Sequence, residues 1–207
     1  MSLKKINKGA ILAAVIVLII AVYHTTIFVI QMQDKKDATA FLNDYYSTIF
    51  GATVLDSKYH DFNVEVPKEI LTEKTDRYAA DISKFFVTDN KLRDSAKDAY
   101  KNYINSQGDQ YERTVSQSLK SFKIVRFNKE ENKMVLTVSV VLNIRFMQRS
   151  YDMYGNMSGT GSKWDGQKVV EDTVSLEILS DGKLLISSGG NGFFNNSYTA
   201  WGSEVRD

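Results

Sequence analysis

The sequence predicts an α+β fold, in which an N-terminal transmembrane helix precedes three helices packed on a curled four-stranded antiparallel sheet. One observation is an uncharged apolar run close to the N-terminus, residues 10–30. Another is a change in hydrophobic period near residue 113, from about 3.6 residues to about 2. The order of the elements also matters, because helices followed by strands without βαβ alternation are typical of helices on one face of an antiparallel sheet.

The apolar run reads AILAAVIVLIIAVYHTTIFVI over residues 10–30. At about 1.5 Å per residue, a helix of this length extends about 30 Å, the thickness of a bilayer core. The alternative is a cleavable signal peptide, with Lys4, Lys5 and Lys8 as its basic region. No small-residue cleavage site follows the run, so we predict a retained anchor. The same lysines predict a cytoplasmic N-terminus and an exported C-terminal part.

Three amphipathic helices are predicted after the span, because apolar residues recur there at the spacing of one helix face. Gly51 is the predicted end of the first helix, since glycine commonly follows a helix C-terminus. Asp89 or Asn90 is predicted to cap the third. The apolar faces are Ala38, Phe41, Leu42, Tyr45 and Ile49, then Tyr78, Ala79, Ile82, Phe85 and Phe86, then Leu92, Ala96, Ala99, Tyr100, Tyr103 and Ile104.

Four strands follow, with turns predicted at residues 128–132 and at Asp181-Gly182. Residues 151–166 hold four glycines and few aliphatic side chains, which predicts a long hairpin loop. The alternation in the second strand predicts that both of its faces are partly covered, and no acidic residue is expected on the inward face of the sheet. The strands are predicted at residues 115–127, 134–149, 170–178 and 184–187.

The chain after residue 188 is rich in glycine and asparagine, with Phe193, Phe194, Tyr198 and Trp201 among them. This composition predicts a flexible aromatic tail, and the alternative is a segment that docks on a partner. The predicted organisation is therefore a cytoplasmic N-terminus (1–9), a transmembrane helix (10–30), an exported α+β domain (31–188) and the tail (189–207).

Composition excludes several classes of function. The 207 residues carry 26 Lys and Arg against 25 Asp and Glu, so the chain offers no strong field to a nucleic acid, and no direct nucleic-acid binding is expected. The absence of cysteine excludes disulfides, thiolate zinc sites and cysteine nucleophiles. We expect a domain that is stabilised by its core alone.

Motifs of catalysis are also missing from the sequence. There is no phosphate-binding loop, nucleophile elbow or zinc-protease pattern, and the only histidines are His24 and His60. A Ser-x-x-Lys spacing at Ser180 to Lys183 straddles the predicted Asp181-Gly182 turn, where it cannot stack as on a helix. We therefore predict no catalytic, cofactor-binding or metal-ligating residues and no enzymatic activity.

The layout from residue 4 to about residue 188 resembles a known family. A short N-terminus, one span, a helix leaving the membrane, further helices and a four-stranded sheet are similar to the bitopic assembly factors of type IV secretion and conjugation machines. That resemblance implies an exported domain with a nuclear-transport-factor-two-like cone. The Gram-negative members usually carry an Asn-Pro-x-Gly turn, whereas the only proline here lies in Val66-Pro67-Lys68. The resemblance therefore implies a Gram-positive type.

From this resemblance we expect a non-catalytic structural subunit of a cell-envelope DNA-transfer channel. It implies self-association, contacts with other channel subunits, no cofactor, and a cell-membrane location with the C-terminal domain outside. Phe41, Tyr45, Tyr46 and Ile49 are the candidate interface residues, because a helix above the membrane would carry more apolar surface than it buries alone.

Two other functions remain open from the sequence. One is a membrane-anchored extracellular binding module that holds a small ligand or peptide in the cone. The other is an enzyme of the same fold, which needs a buried carboxylate or histidine facing a cavity. A filled interior favours the structural subunit over both.

Overall fold

The computed structural model describes residues 8–88, 91–109, 112–151, 154, 156–195 and 201–205. The chain divides into two compact units, Met1–Ala40 and Phe41–Asp207. Helix α1 (Lys8–Thr53) starts in the first unit and ends in the second.

The first unit contains the one helix, among the described residues, that is long and apolar enough to cross a membrane. Its apolar stretch has a mean hydropathy of 2.5, and none of that stretch is buried within the protein. The hydroxyls of Thr25 and Thr26 donate to the carbonyls of Ala21 and Val22, at 2.8 and 2.9 Å. Hydroxyls satisfied within the helix are compatible with a lipid surrounding, which offers no other partner. The predicted span is thus supported by length and composition.

The second unit contains the end of α1 and helices α2 (Lys68–Ser83), α3 (Lys91–Asp109) and α4 (Gly192–Asn195), with a 3₁₀ turn at Ser57–Tyr59. The predicted span and first helix are therefore one helix, and the short α4 was not predicted. Gly51 does not end α1, which continues to Thr53. A glycine is tolerated there because the helix is held by buried side chains on either side of it, Phe50 and Thr53. Asp89 and Asn90 lie outside the described residues.

The sheet has the predicted antiparallel arrangement and one strand more. Its four main strands have the order β1-β2-β3-β4, and β5 pairs with β3 at Lys163–Gln167. The turns after β1 and β3 lie where the sequence places them, and Gly182 has a φ of +82° in the second. The strands are β1 (Glu112–Glu130), β2 (Lys133–Tyr151), β3 (Met157–Ile178), β4 (Leu184–Ser188) and β5 (Trp201–Val205).

The long hairpin loop predicted at residues 151–166 is wrong for most of its length. β2 and β3 stay paired out to Tyr151 and Met157. A bidentate ion pair between Arg145 and Asp165, at 2.6 and 2.8 Å, joins the two strands there. Backbone pairing and cross-strand charges thus maintain strands that have few aliphatic residues.

The core lies on one face of the sheet, which we call the inner face. It is the face that carries the even-numbered residues of β2, and from residue 134 to residue 146 all of these are buried: Met134, Leu136, Val138, Val140, Leu142, Ile144 and Phe146. On the opposite face of β2, Thr137, Ser139 and Val141 are half-buried and Val135 is exposed. Helices therefore cover the inner face only. Among the described residues, Phe41, Tyr45 and Tyr46 from α1 and Phe85 and Phe86 after α2 contribute aromatic side chains to this core.

The flexible tail predicted from residue 189 is wrong for its described part. Phe193 is 1% exposed, and Asn191 is also buried. β5 pairs with β3, so this later part of the tail belongs to the sheet. Tyr198 lies outside the described residues. Glycine and asparagine give this segment little preference for a helix or a strand. The apolar surface that its aromatic side chains bury nevertheless stabilises it in one conformation.

Gly189 is expected to tolerate no side chain. Its φ is +77°, and an added Cβ would lie 1.9 Å from the Thr173 carbonyl oxygen. Gly182 has a similar φ of +82° but open space around it, so it isolates the backbone effect. We expect Gly182→Ala to lower the free energy of unfolding by about 1 kcal/mol and Gly189→Ala by about 3 kcal/mol or more. Denaturant unfolding of the full chain in detergent measures both changes. Equal losses of unfolding free energy in the two variants would contradict the close contact between residue 189 and Thr173.

Candidate functional site: charged residues on the inner face

Two charged side chains lie on the inner face of β3, where the sequence led us to expect apolar residues. Lys168 is 1% exposed, and Asp172 is half-buried. They share this face with Val170 and Val174, because alternate residues of a strand point the same way. The prediction that the inward face carries no acidic residue is therefore wrong. Asp172 lies two residues from both Val170 and Val174, so the strand period already placed it on their face.

Asp172 is a hydrogen-bond acceptor for two separate parts of the chain. Its Oδ2 accepts from the Tyr46 hydroxyl at 3.2 Å and from the Gly192 backbone N–H at 2.9 Å. Burial raises the pKa of the Asp172 carboxyl, and these hydrogen bonds oppose the rise. Burial also raises the pKa of the Tyr46 phenol, so that it stays protonated and donates. Asp172 thus joins α1 to the segment that follows β4.

Lys168 binds the same segment at a different residue, Phe193. Its Nζ donates to the Phe193 carbonyl oxygen at 2.8 Å and lies 4.1 Å from the centre of the Phe193 ring. Burial lowers the pKa of Lys168 to about 8, and the negative charge of Glu112 opposes that shift. Burial raises the pKa of Glu112 in turn. A buried ammonium that binds a carbonyl and an aromatic face is stabilised at both, which offsets part of its desolvation.

Aromatic rings fill the space in front of these charged groups. The Phe193 ring lies 5.4 Å from the Phe50 ring and 5.8 Å from the Tyr103 ring, measured between centroids. Phe194 is 5.7 Å from Tyr103 and 6.0 Å from Tyr78. The part of the inner face beside Lys168 and Asp172 is thus covered by described residues of the chain itself, and we call residues 189–194 the inserted segment.

Arg113 forms a second buried polar centre, at the start of β1. Its Nη1 donates to the carbonyls of Tyr59, Asp61 and Val64, at 2.9, 2.7 and 3.0 Å. Nε and Nη2 donate to the carbonyls of Gln107 and Gly108, at 3.2 and 3.4 Å. The guanidinium also lies 4.7 Å from the Phe62 ring centre. This one side chain therefore fixes the loop after the 3₁₀ turn and the end of α3 against the sheet.

The predicted interface residues lie largely in this core. Tyr45, Tyr46 and Ile49 are 0% exposed. The Tyr45 hydroxyl donates to the Gly190 carbonyl at 2.9 Å. Phe41 is half-buried, with its ring 5.6 Å from that of Phe85. The apolar face of α1 packs on the sheet and on the inserted segment. A role of these four residues in an interface stays a prediction, and it applies most directly to Phe41 because that side chain is only half-buried.

The residues considered for catalysis are placed apart from the inner face. The His60 Nε2 lies 2.9 Å from the Leu55 carbonyl oxygen, within one loop. Ser180 and Lys183 flank the exposed turn between β3 and β4. No group of three or more His, Asp or Glu side chains in the described ranges is arranged to hold a metal ion.

Two surface grooves, each of about 370 Å³, lie beside α2. The one between α2 and α3 has an apolar floor at Val66 and Leu71, with Lys68, Lys97 and Lys101 around its rim. Asp76 pairs with Lys97 at 3.4 Å, so part of that positive charge is neutralised. The other groove lies between α1 and α2 and is lined by Lys74, Arg77, Asp81 and Lys84 among others.

No protein-family model, curated protein or solved structure matches this chain.

Arg113 is expected to be the most sensitive polar residue of the domain. Arg113→Met keeps an unbranched apolar stem but removes the guanidinium hydrogen bonds of five carbonyl oxygens, of which that of Asp61 also accepts from the Val64 N–H. We expect the free energy of unfolding to fall by about 3 kcal/mol or more, because buried acceptors lose hydrogen bonds to a charged group. Arg77→Met removes an exposed guanidinium on α2 and is the matched control. A loss no larger than that of the control would contradict the role of Arg113.

Lys168 is expected to make stability depend on pH. Its folded pKa of about 8 lies below the ordinary value of 10.5, so between these pH values the unfolded chain binds more protons than the folded chain. Stability therefore rises with pH through this window, by up to about 3 kcal/mol from this group. Lys168→Met removes the effect. Chemical unfolding from pH 7 to pH 10.5 in detergent measures the difference between variant and wild type, which cancels the contribution of tyrosines.

The exposed residue Lys120 on β1 supplies the control. Lys120→Met keeps Lys168 and should keep the wild-type pH dependence. Parallel curves for wild type and Lys168→Met would show that the buried ammonium does not set the slope.

Proposed function

We propose that this chain is a membrane-anchored, non-catalytic structural subunit of a cell-envelope DNA-transfer channel of the type IV secretion or conjugation kind. It acts through self-association and through contacts with other channel subunits. The N-terminus lies in the cytoplasm and the α+β domain outside the cell. The layout of one apolar helix followed by helices and an antiparallel sheet supports this proposal.

The observation that carries the proposal is the filled inner face. A binding protein or enzyme that uses this face needs a cavity for its ligand. Here Phe193 is 1% exposed and lies where such a ligand would sit. The charged groups of the face, Lys168 and Asp172, bind the main chain of the inserted segment. A face used up by the protein's own residues favours a structural role.

Contacts with other subunits are then made by the surfaces that stay uncovered. The outer face of the sheet exposes Val135 and Val169, at 37% and 45%. Apolar side chains on an uncovered sheet face suit a protein contact. Serine, threonine and charged residues surround them, which is compatible with a face that is solvated until a partner binds.

The alternative is a membrane-anchored extracellular module that binds a small ligand or peptide. The contacts of the inner face favour the peptide over the small ligand, because they engage backbone atoms and one aromatic side chain. A ligand of this kind would have to displace the inserted segment.

DNA transfer tests the proposal in a bacterial strain that carries this gene. We expect deletion of the gene to abolish transfer to a recipient cell, and the full chain supplied in trans to restore it. A chain without residues 10–30 should fail to restore transfer, because it lacks the anchor. Unchanged transfer after deletion would contradict the proposed function. An increase in melting temperature with an envelope peptide, together with normal transfer, would favour the alternative.

A further inference from the structure

Among the described residues, the chain covers one edge of its sheet and leaves the other open. At the edge formed by β4, the Ile186 N–H donates to the Phe85 carbonyl at 2.7 Å, and the Val87 N–H donates to the Ile186 carbonyl at 3.2 Å. β1 forms the opposite edge, and its strand partner is β2. On its other side, no backbone hydrogen bond joins residues 116–128 to a described residue of the chain. A strand edge of this kind presents unpaired N–H and C=O groups, to which another chain can add.

The apolar side chains of β1 on the inner face lie at the margin of the core. They are Leu119, Phe122, Ile124 and Phe127, and all four are half-buried. The β2 residues paired with them are all 0% exposed. Val125, at a bulge in β1, is 58% exposed. Apolar surface therefore remains along the open edge, and a further strand there would bury part of it.

The outer face of the open edge is basic. Residues 113–129 contain five Lys and Arg and no Asp or Glu, and the sequence of β2 contains no acidic residue either. Lys123 and Arg126 pair with Ser139 and Thr137, which lie on the outer face. Both cations are exposed, and neither has a hydrogen bond or an ion pair with a described residue. The edge therefore combines apolar side chains on one face with free positive charge on the other.

The charge distribution indicates which chain can add at this edge. A second copy would bring a second set of the same cations, and lysines on an edge strand ordinarily prevent such pairing. A phosphate polymer would neutralise the charge, but it has neither peptide groups to pair with the strand nor apolar side chains for the inner face. A polypeptide strand has side chains that alternate between its two faces. A strand with apolar residues on one face and carboxylates on the other complements both faces of the edge.

We propose that the open edge of β1 binds, as an added strand, a segment of a different subunit in which apolar residues alternate with Asp or Glu. Main-chain hydrogen bonds supply the affinity in such an addition, and alternate side chains supply the specificity. Bulges in β1 leave regular stretches at residues 121–124 and 126–130, so a short segment suffices. The inference rests on the proposed function, since it states the chemistry of a contact between channel subunits.

A synthetic peptide measures this binding on the full chain in a neutral detergent. The probe is a fluorescently labelled peptide with capped ends, Glu-Val-Glu-Ile-Glu-Val-Glu-Val-Glu, and fluorescence anisotropy at about 0.15 M salt follows its binding. We expect saturable binding to the wild type. Lys123→Glu together with Arg126→Glu should weaken the binding about tenfold or more, because two attractive charges become repulsive. The same peptide with Lys in place of Glu should bind this variant more tightly than it binds the wild type.

Two controls separate the edge from other basic surfaces, and strand pairing from charge alone. Lys91→Glu together with Lys101→Glu reverses two exposed lysines on α3 and should leave the affinity unchanged. Successive N–H groups of a strand point to its two edges in turn. A peptide N-methylated at every Glu, or at every Val and Ile, therefore loses the N–H groups of one edge only. We expect one of these two peptides to lose binding and the other to keep it.

Several results would overturn the added strand. They are the absence of saturable binding by the acidic peptide, equal weakening in the α3 variant, and equal binding of the two methylated peptides. Tighter binding of sodium polyphosphate than of the peptide, with the same loss in the Lys123→Glu, Arg126→Glu variant, would assign the edge to a phosphate polymer instead.

DNA transfer separates failure of this inference from failure of the proposed function. A deletion strain supplied with the Lys123→Glu, Arg126→Glu chain should transfer DNA at about a tenth of the wild-type frequency or less, at an equal level of the chain in the membrane, because the contact is about tenfold weaker. Normal transfer by this variant would refute the edge as a subunit contact and leave the proposed function in place. Unchanged transfer after deletion would refute the proposed function, and the peptide measurements would still decide whether the edge binds a strand.

Discussion

The interaction on which the second unit depends is the binding of main-chain atoms by buried charged side chains. Lys168 and Asp172 bind the backbone of the inserted segment, and Arg113 binds five carbonyl oxygens of a loop and of the end of α3. Such groups contribute little as charges, because leaving water costs about as much as the new contacts return. Their effect is to fix the position of the segments that they bind. In any other arrangement a buried carbonyl would lose its donor, which costs free energy. These side chains thereby hold irregular parts of the chain in place.

This arrangement also links structure to function. A sheet with one covered face normally offers its inner surface either to the core or to a ligand. In this chain α1, α2 and α3 cover part of the inner face, and the inserted segment covers the part beside Lys168. The aromatic rings of Phe50, Tyr103 and Phe193 complete that layer. Among the described residues, this part of the face is closed by a segment of the chain itself, whose backbone Lys168 and Asp172 bind.

Much of the fold could be predicted because period and composition act locally. The apolar run of residues 10–30, the period of 2 in β2 and the Asp181-Gly182 turn each identify their own element. Glycine led to two wrong predictions. Gly51 lies inside α1, where buried neighbours outweigh its low helix preference. Gly159, Gly161 and Gly166 lie in β3 towards the end of a long hairpin, where strand pairing and the Arg145–Asp165 pair outweigh composition.

The sequence by itself determined the apolar N-terminal helix that is long enough to cross a membrane, the order of helices and strands, and the apolar residues of β2 on the inner face, because each follows from the pattern of neighbouring residues. Only the tertiary structure decided what Lys168, Asp172 and Arg113 bind, since their acceptors and donors lie 20 or more positions away or on another element. It also decided that Gly190, Asn191 and Phe193 of the inserted segment are buried. A segment of glycine, asparagine and phenylalanine has no regular preference of its own, and it becomes ordered because a complementary face is present to receive it.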